Sequence, residues 1–299
     1  MELRHLRYFV CVAEELNIGR AALRLHISQP PLTRQIQQLE DEVGALLFKR
    51  TSRGVELTDA GRVLYEEARH ILAQAERAAE RTHKAAQGLL GRIDVAIFGS
   101  GIFGVIPQLL RRFRDAYPEV NIVLHSLDKE AQIDALRHRR ITVAFNRLMR
   151  PIDGLVCETI LTEPLFVAVP SDSVLAARTA IEMAELAAHP LVLFPTGSRP
   201  SFIDQVRGMC RAAGFVPQVA QEVSDVVHAM ALVGSGFGAC LVPRSGTHLG
   251  VPGVTYRPLH TPESACVDLC CIYRSDDESC ILRVFLDSVR QAVKGRGAG

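Results

Sequence analysis

The side chains best suited to chemistry fall in two groups. The first is Gln29, Thr33, Arg34 and Gln37, preceded by Ser28 and accompanied by Pro30 and Pro31. Amide and guanidinium groups on one exposed helical face hydrogen-bond base edges in a DNA major groove. The second group is scattered along the C-terminal two thirds: the turn Gly99-Ser100-Gly101-Ile102, the run Asp128-Lys129-Glu130, and the stretch from Phe194 to Phe202, which contains Arg199, Pro200 and Ser201. Turns that offer backbone N–H groups, a hydroxyl and a cation suit an anion. Two of them facing one gap suit a small dicarboxylate. Glycine-rich connections of this kind also occur in α/β proteins with no ligand.

The elements that position the first group are two short helices and a tight turn. Residues 18 to 25 predict a helix with Ala21, Ala22 and Leu25 inward, and a second helix opens at Gln29. Its Leu32, Ile36, Leu39 and Val43 form one apolar stripe, which leaves Thr33, Arg34, Gln35 and Gln37 outside. Prolines fit the start of a helix, where the first N–H groups have no intrahelical acceptor. Ser28 is placed to cap that end and to leave free N–H groups for a phosphate. The alternative is an ordinary amphipathic helix pair. A preceding helix over 2 to 16, with Leu3, Leu6, Val10 and Ala13 buried, would support both. Residues 49 to 57, KRTSRGVEL, predict a two-stranded wing with Arg53 at its basic tip, and an arginine there reaches a minor groove.

From Thr58 to Gln87 there is no proline, and a seam of Leu64, Ala68, Ile71, Ala75, Ala78, Thr82 and Ala85 recurs three and four apart. A long helix with charged flanks and an alanine-rich seam needs a partner, and a second copy is the one expected. A helix folded back on its own C-terminal domain is the alternative. Beyond Arg92 the pattern alternates. Strands at 93 to 98, 120 to 124 and 141 to 145 enclose helices at 105 to 117 and 130 to 139, which is two βαβ units and a parallel sheet. A second set follows, with strands at 191 to 194, 219 to 223 and 239 to 242 and helices at 201 to 213 and 225 to 233. Residues 265 to 273 and a helix over 279 to 293 return to the first.

The chain has 299 residues, 48% of them apolar, and a net charge of only +1. Residues 1 to 57 hold eight Lys or Arg against seven Asp or Glu. Any affinity for DNA therefore comes from where charges sit. No apolar run is long enough for a membrane span and the charged N-terminus does not read as a signal peptide, so a cytoplasmic protein without membrane association is expected. Eight cysteines fit a reducing compartment. Cys266, Cys270 and Cys271 lack paired ligand spacing, so no metal and no cofactor are expected.

HISQPPLTRQIQQLEDEVGALLFKRTSRGVELTDAG, with the opening MELRHLRYF, closely resembles the N-terminal domain of LysR-type transcriptional regulators. The resemblance implies an all-α winged helix-turn-helix over 1 to 57, a dimerisation helix over 58 to 90, and an α/β effector domain over 91 to 299. That domain would have two lobes, 91 to 161 with 268 to 299 and 162 to 267, like a periplasmic binding protein. Ligands of such folds sit beyond the carboxyl ends of strands, in the cleft. It further implies double-stranded promoter DNA, RNA polymerase and a tetramer built as a dimer of dimers. Gln29, Pro30 and Arg34 would read bases, Thr33 would hold phosphate and Arg53 would enter the minor groove.

MELRHLRYF, the FGS turn, KEAQ and FPTGSRPSF are similar to the branch that activates degradation of catechols and chlorocatechols in response to cis,cis-muconate or its chlorinated forms. On that pattern Ser100, Lys129, Pro200, Ser201 and Phe202 fall on effector contacts, with Gly101, Ile102 and Arg199 beside them. Arg147 matches a nearby basic position. Asn146 replaces an expected glycine, and Asp128 adds a negative charge. Two rivals remain: a family member with a different effector or a redox input, and a cleft enzyme using Ser100, His125 and Asp128. No reactive cysteine opens the helix at 201, and no GxSxG surrounds Ser100. Neither a redox input nor an enzyme is expected, a different effector stays open because Asn146 and Asp128 bear on ligand choice, and no catalytic residue is assigned.

Overall fold

The computed structural model describes residues 1–52, 54–197, 201–261 and 265–294. It divides into two compact units, Met1–Lys84 and Ala85–Gly299.

The first unit begins with α1 (Leu3–Glu15), α2 (Ile18–Arg24) and α3 (Gln29–Val43). The buried face of α1 is Leu6, Phe9, Val12 and Ala13, while Leu3 is exposed and Val10 only half-buried. The expected stripe was therefore rotated. Phe9 has the largest apolar surface on the helix, and its ring packs 5.3 Å from that of Phe48, which turns α1 towards it. Asn17 caps α2 by accepting from the Arg20 N–H at 3.0 Å. On α3, Leu32, Ile36 and Leu39 are buried as the spacing predicts, but Val43 is 43% exposed. It keeps the right azimuth yet lies about 16 Å beyond Leu32 along the axis, past the edge of the core.

Gly44 ends α3 at φ 72°. The wing follows as β1 (Phe48–Thr51) antiparallel to β2 (Gly54–Leu57), tied to α3 by the Glu40 carboxylate, which accepts from the N–H groups of Leu47 and Phe48 at 2.7 and 3.1 Å. Helix α4 (Asp59–Ala86) starts where the Thr58 hydroxyl accepts the Gly61 N–H at 2.9 Å. Only Gly61 and Ala68 of its residues are buried. Ile71, Ala78, Thr82 and Ala85 of the expected seam are exposed.

The second unit is α/β. In chain order it comprises β3 (Gly91–Ile97), α5 (Ile106–Ala116), β4 (Val120–Ser126), α6 (Lys129–Arg137), β5 (Val143–Arg147), β6 (Leu155–Pro170), β7 (Ile181–Glu182) and β8 (Leu191–Leu193). There follow α7 (Phe202–Ala212), β9 (Val219–Glu222), α8 (Val226–Gly234), β10 (Cys240–Pro243), β11 (Val254–His260), β12 (Cys266–Arg274) and α9 (Cys280–Lys294). The expected βαβ units are present, with β4, β3 and β5 parallel. Strand β12 then joins β5 antiparallel and pairs with β6, so the first lobe is a mixed sheet.

Strand β6 runs on for 16 residues and makes its second half part of the other lobe, pairing with β10 and β11. Strand β11 carries no strong period-two signal and was not expected. Each lobe has its own core. Ile93, Phe113, Phe145 and Phe285 centre the first, and Val167, Ile203, Met230 and Leu241 the second. The two connections through β6 and β12 leave a cleft between them.

Candidate nucleic-acid interface and ligand cleft

Gln29, Pro30, Pro31, Arg34 and Gln37 are all exposed on α3. The acids of the first unit are largely engaged elsewhere: Glu14 and Glu15 pair with Arg24, Glu15 also with Arg20, Glu42 with the N-terminal amine, and Glu56 with Lys49. Arg34 has no ion-pair partner among the described residues. A nearly neutral unit thus presents an uncompensated cation on the α3 face.

Two details of the expected interface change. Ser28 occupies the N-cap position but makes no side-chain cap bond. The N–H groups it would accept belong to Pro30 and Pro31, which have none, so this helix end offers an anion little more than the Ser28 and Gln29 N–H groups. Thr33 donates its one proton to the Gln29 carbonyl at 3.1 Å and must release it to donate to a phosphate. Arg53 lies outside the described residues.

In the second unit the carboxyl ends of β3, β4, β5, β8, β9 and β10 converge on one cleft, the usual place for a ligand in such sheets. Of the expected residues, Ser100, Lys129, Asn146, Arg147, Ser201 and Phe202 line it. Gly101 and Ile102 do not. A Cβ on Gly101 would lie 2.8 Å from Ile106, and Ile102 packs on the first lobe's core, because the expected turn is a short 3-10 helix that sends alternate faces inward. Arg199 and Pro200 lie outside the described residues. Phe98, Leu148, Asp225 and Pro243 also line the cleft and were not anticipated. A Ser-Asp pair opening an apolar helix was the available signal for Asp225, whereas nothing local marks Pro243.

The polar residues divide by what already holds them. Burial lowers the pKa of Lys129, opposed in part by Glu130, and its Nζ lies 3.3 Å from the Leu148 carbonyl. Arg147, expected as a free basic group, is nearly buried and ion-paired with Glu163, and it donates to the Ser245 hydroxyl at 3.1 Å. Glu163 in turn accepts the Ser245 N–H at 2.9 Å, and the Ser245 hydroxyl lies 3.4 Å from that of Ser100. Asn146 donates to Gln132 Oε1 at 2.9 Å and accepts the Arg147 N–H at 2.8 Å, so its amide is committed to the fold.

Neither cleft aspartate is a bare charge. Asp128 caps α6 through the Ala131 N–H at 2.9 Å. Asp225 caps α8 through the N–H groups of Val227 and His228 at 2.8 and 3.0 Å, and also meets the His228 ring at 2.7 Å. Burial works to raise the Asp225 pKa, but these donors prevail and hold it below the usual range. Ser201 caps α7 with Asp204 in a reciprocal arrangement, and Phe202 packs 5.7 Å from Phe194 as an apolar wall.

The rival chemistries find no support in this geometry. His125 Nε2 meets Asp94, not Asp128, at 2.7 Å, and Asp128 is spent as a cap, so no relay reaches Ser100. All eight cysteines are free. Burial pushes the Cys210 thiol up to about 11 and raises those of Cys240 and Cys271 further, the opposite of an activated thiolate. Among the described residues no cluster of three or more His, Cys, Asp or Glu can hold a metal, and no helix is long and apolar enough to cross a membrane.

Comparison with known proteins accounts for both units. Residues 3–62 match the bacterial regulatory helix-turn-helix protein family of lysR type, and residues 86–294 match the LysR substrate binding domain. The HTH-type transcriptional regulator ClcR of Pseudomonas putida is 40% identical over 287 residues, covering 96% of this chain and 97% of its own. Full-length CbnR complexed with its target DNA superposes with a TM-score of 0.88 at 36% identity, covering 98% of this chain and all of that one. The BenM effector binding domain with its effector benzoate gives a TM-score of 0.63 at 27% identity, over 70% of this chain and 95% of that one. A winged helix-turn-helix, a long exposed helix and a two-lobed cleft domain, in that order and over the whole chain, make this protein a member of the LysR family of DNA-binding transcriptional regulators.

Proposed function

We propose that this regulator activates genes of aromatic or chloroaromatic degradation when a small carboxylate of the muconate or chloromuconate class enters the interlobe cleft. The observation that carries the reading is that the half-buried ammonium of Lys129 and the buried Ser100 hydroxyl line one cleft at the carboxyl ends of the strands. A desolvated cation gains most from an anion that replaces lost water. The related BenM domain holds benzoate, itself a carboxylate. Phe98, Leu148, Phe194 and Phe202 would cover an unsaturated carbon skeleton.

On the DNA side, Gln29, Pro30 and Arg34 read bases in the major groove, Thr33 and Gln37 support them, and Arg53 enters the minor groove. Two chains pair through the seam of α4, and paired effector domains complete a cytoplasmic tetramer, a dimer of dimers, that recruits RNA polymerase. Effector binding shifts the tetramer between arrangements only as far as it prefers one of them.

Calorimetric titration of the full chain with cis,cis-muconate tests the cleft. Saturable binding is expected, weakened about 10- to 100-fold in Lys129→Ala, since a charged hydrogen bond contributes about 1.5 to 3 kcal/mol, and less in Ser100→Ala. A folded, DNA-competent protein that releases no heat with muconate would refute the effector class. On the DNA side, Arg34→Ala should reduce the preference for operator over scrambled duplex by about tenfold or more without changing the melting temperature. An unchanged footprint would remove Arg34 from the reading set.

A further inference from the structure

A second concavity lies on the first unit, between α1 and the start of α3. Arg4, Tyr8, Ile27, Pro30, Pro31, Arg34 and Gln35 line it. Arg4 and Tyr8 are four residues apart on α1 and so share a face. The same arithmetic places Arg34 one turn beyond Pro30 on α3, and the two faces meet across the depression. Its chemistry is one-sided: two guanidinium groups, a phenol and an amide, with no carboxylate in the lining. The Arg4 side chain is 58% exposed, and its one ion-pair partner among the described residues is Glu2 at 3.4 Å, itself exposed. The Tyr8 hydroxyl bonds to no other described group. Prolines 30 and 31 remove the backbone donors that would otherwise serve an anion at this helix end, so any anion held here must be held by side chains.

We propose that Arg4 and Tyr8 form a phosphate clamp on α1, taking a phosphodiester of the strand that flanks the bases met by α3. The inference rests on the assignment of α3 to the major groove. Arg34 forms the shared wall, so the clamp sets the register in which Arg34 meets its base. Arg4 supplies the charge and Tyr8 the directional donor. Contacts of this kind position a protein on the duplex without distinguishing sequences.

The test uses the full-length chain and two duplexes, the intergenic segment upstream of its own gene and a scrambled duplex of equal composition, across a range of salt concentrations. Arg4→Ala is expected to weaken both duplexes by the same factor, about tenfold at moderate salt. It should also flatten the slope of log affinity against log salt by about one unit per DNA-binding domain engaged. Tyr8→Phe should weaken both by about threefold with the slope unchanged, and Arg4→Lys should restore the slope. Equal affinity and slope for Arg4→Ala and the native chain overturn the clamp. So does a loss confined to the upstream segment, which would make Arg4 a base reader. Failure of the native chain to bind either duplex would instead overturn the placement of α3, and a lowered melting temperature in Arg4→Ala is checked against Tyr8→Phe, which leaves the ring packing in place.

Discussion

Glu163→Gln should lower the unfolding free energy of the cleft-bearing unit by about 3 to 5 kcal/mol, the usual cost of breaking a buried ion pair from one side. The substitution hardly changes shape, so cavity terms are small. What it removes is the only carboxylate ion-paired with Arg147 among the described residues, where the two side chains are 13% and 8% exposed. The guanidinium would then stay desolvated, with the Ser245 hydroxyl and the Val267 carbonyl as its remaining partners. Urea denaturation followed by far-ultraviolet dichroism measures this as a lower midpoint at constant slope. A change below about 1 kcal/mol would show that water or another group compensates Arg147. Arg147→Met with Glu163→Gln should recover much of the loss, because the pair is then removed together. The same pair explains why Arg147 is a poor candidate for direct ligand binding: its charge is already answered.

Gly61→Ala should destabilise the DNA-binding unit by about 2 to 3 kcal/mol, although alanine is the better helix former in isolation. An added Cβ would stand 2.1 Å from the Leu47 carbonyl oxygen and 3.0 Å from Leu57 Cδ2. That carbonyl accepts the Thr58 N–H at 3.0 Å, so relieving the clash pulls apart the junction at which wing and long helix meet. Gly208→Ala within α7 has open space around the new methyl and is the control, expected to be neutral or stabilising. Thermal melting of both variants decides the matter. If Gly61→Ala melts no lower than the native chain, the contact with Leu47 does not constrain α4.

Where the expectations for the DNA-binding unit failed, they failed for reasons of neighbourhood. The period of α3 showed which residues face outward, but the same two prolines that mark its start also deny Ser28 its capping partners. The stripe on α1 was displaced because spacing alone does not weigh Phe9 against Leu3. In the cleft, the positions adjacent to strand ends were legible from the alternation of strand and helix, and six of the expected residues do meet there. Their chemical availability was not. Glu163 lies sixteen residues from Arg147, and Ser245 lies much further along the chain, so nothing local reveals that they quench its charge.

The sequence by itself determined most of the elements and their order, the outward face of α3 and the strand ends that border the cleft. Local periodicity and turn chemistry act within a few residues and are written directly in the chain. Only the tertiary structure decided which partners the polar groups take. Long-range partners such as Glu163 and Gln132 consume Arg147 and Asn146, caps consume Asp128 and Asp225, and Lys129 lines the cleft with its ammonium 3.3 Å from the Leu148 carbonyl. Whether a buried charge is available depends on what the fold places within about 4 Å of it, and that distance is set by packing between segments far apart in the chain.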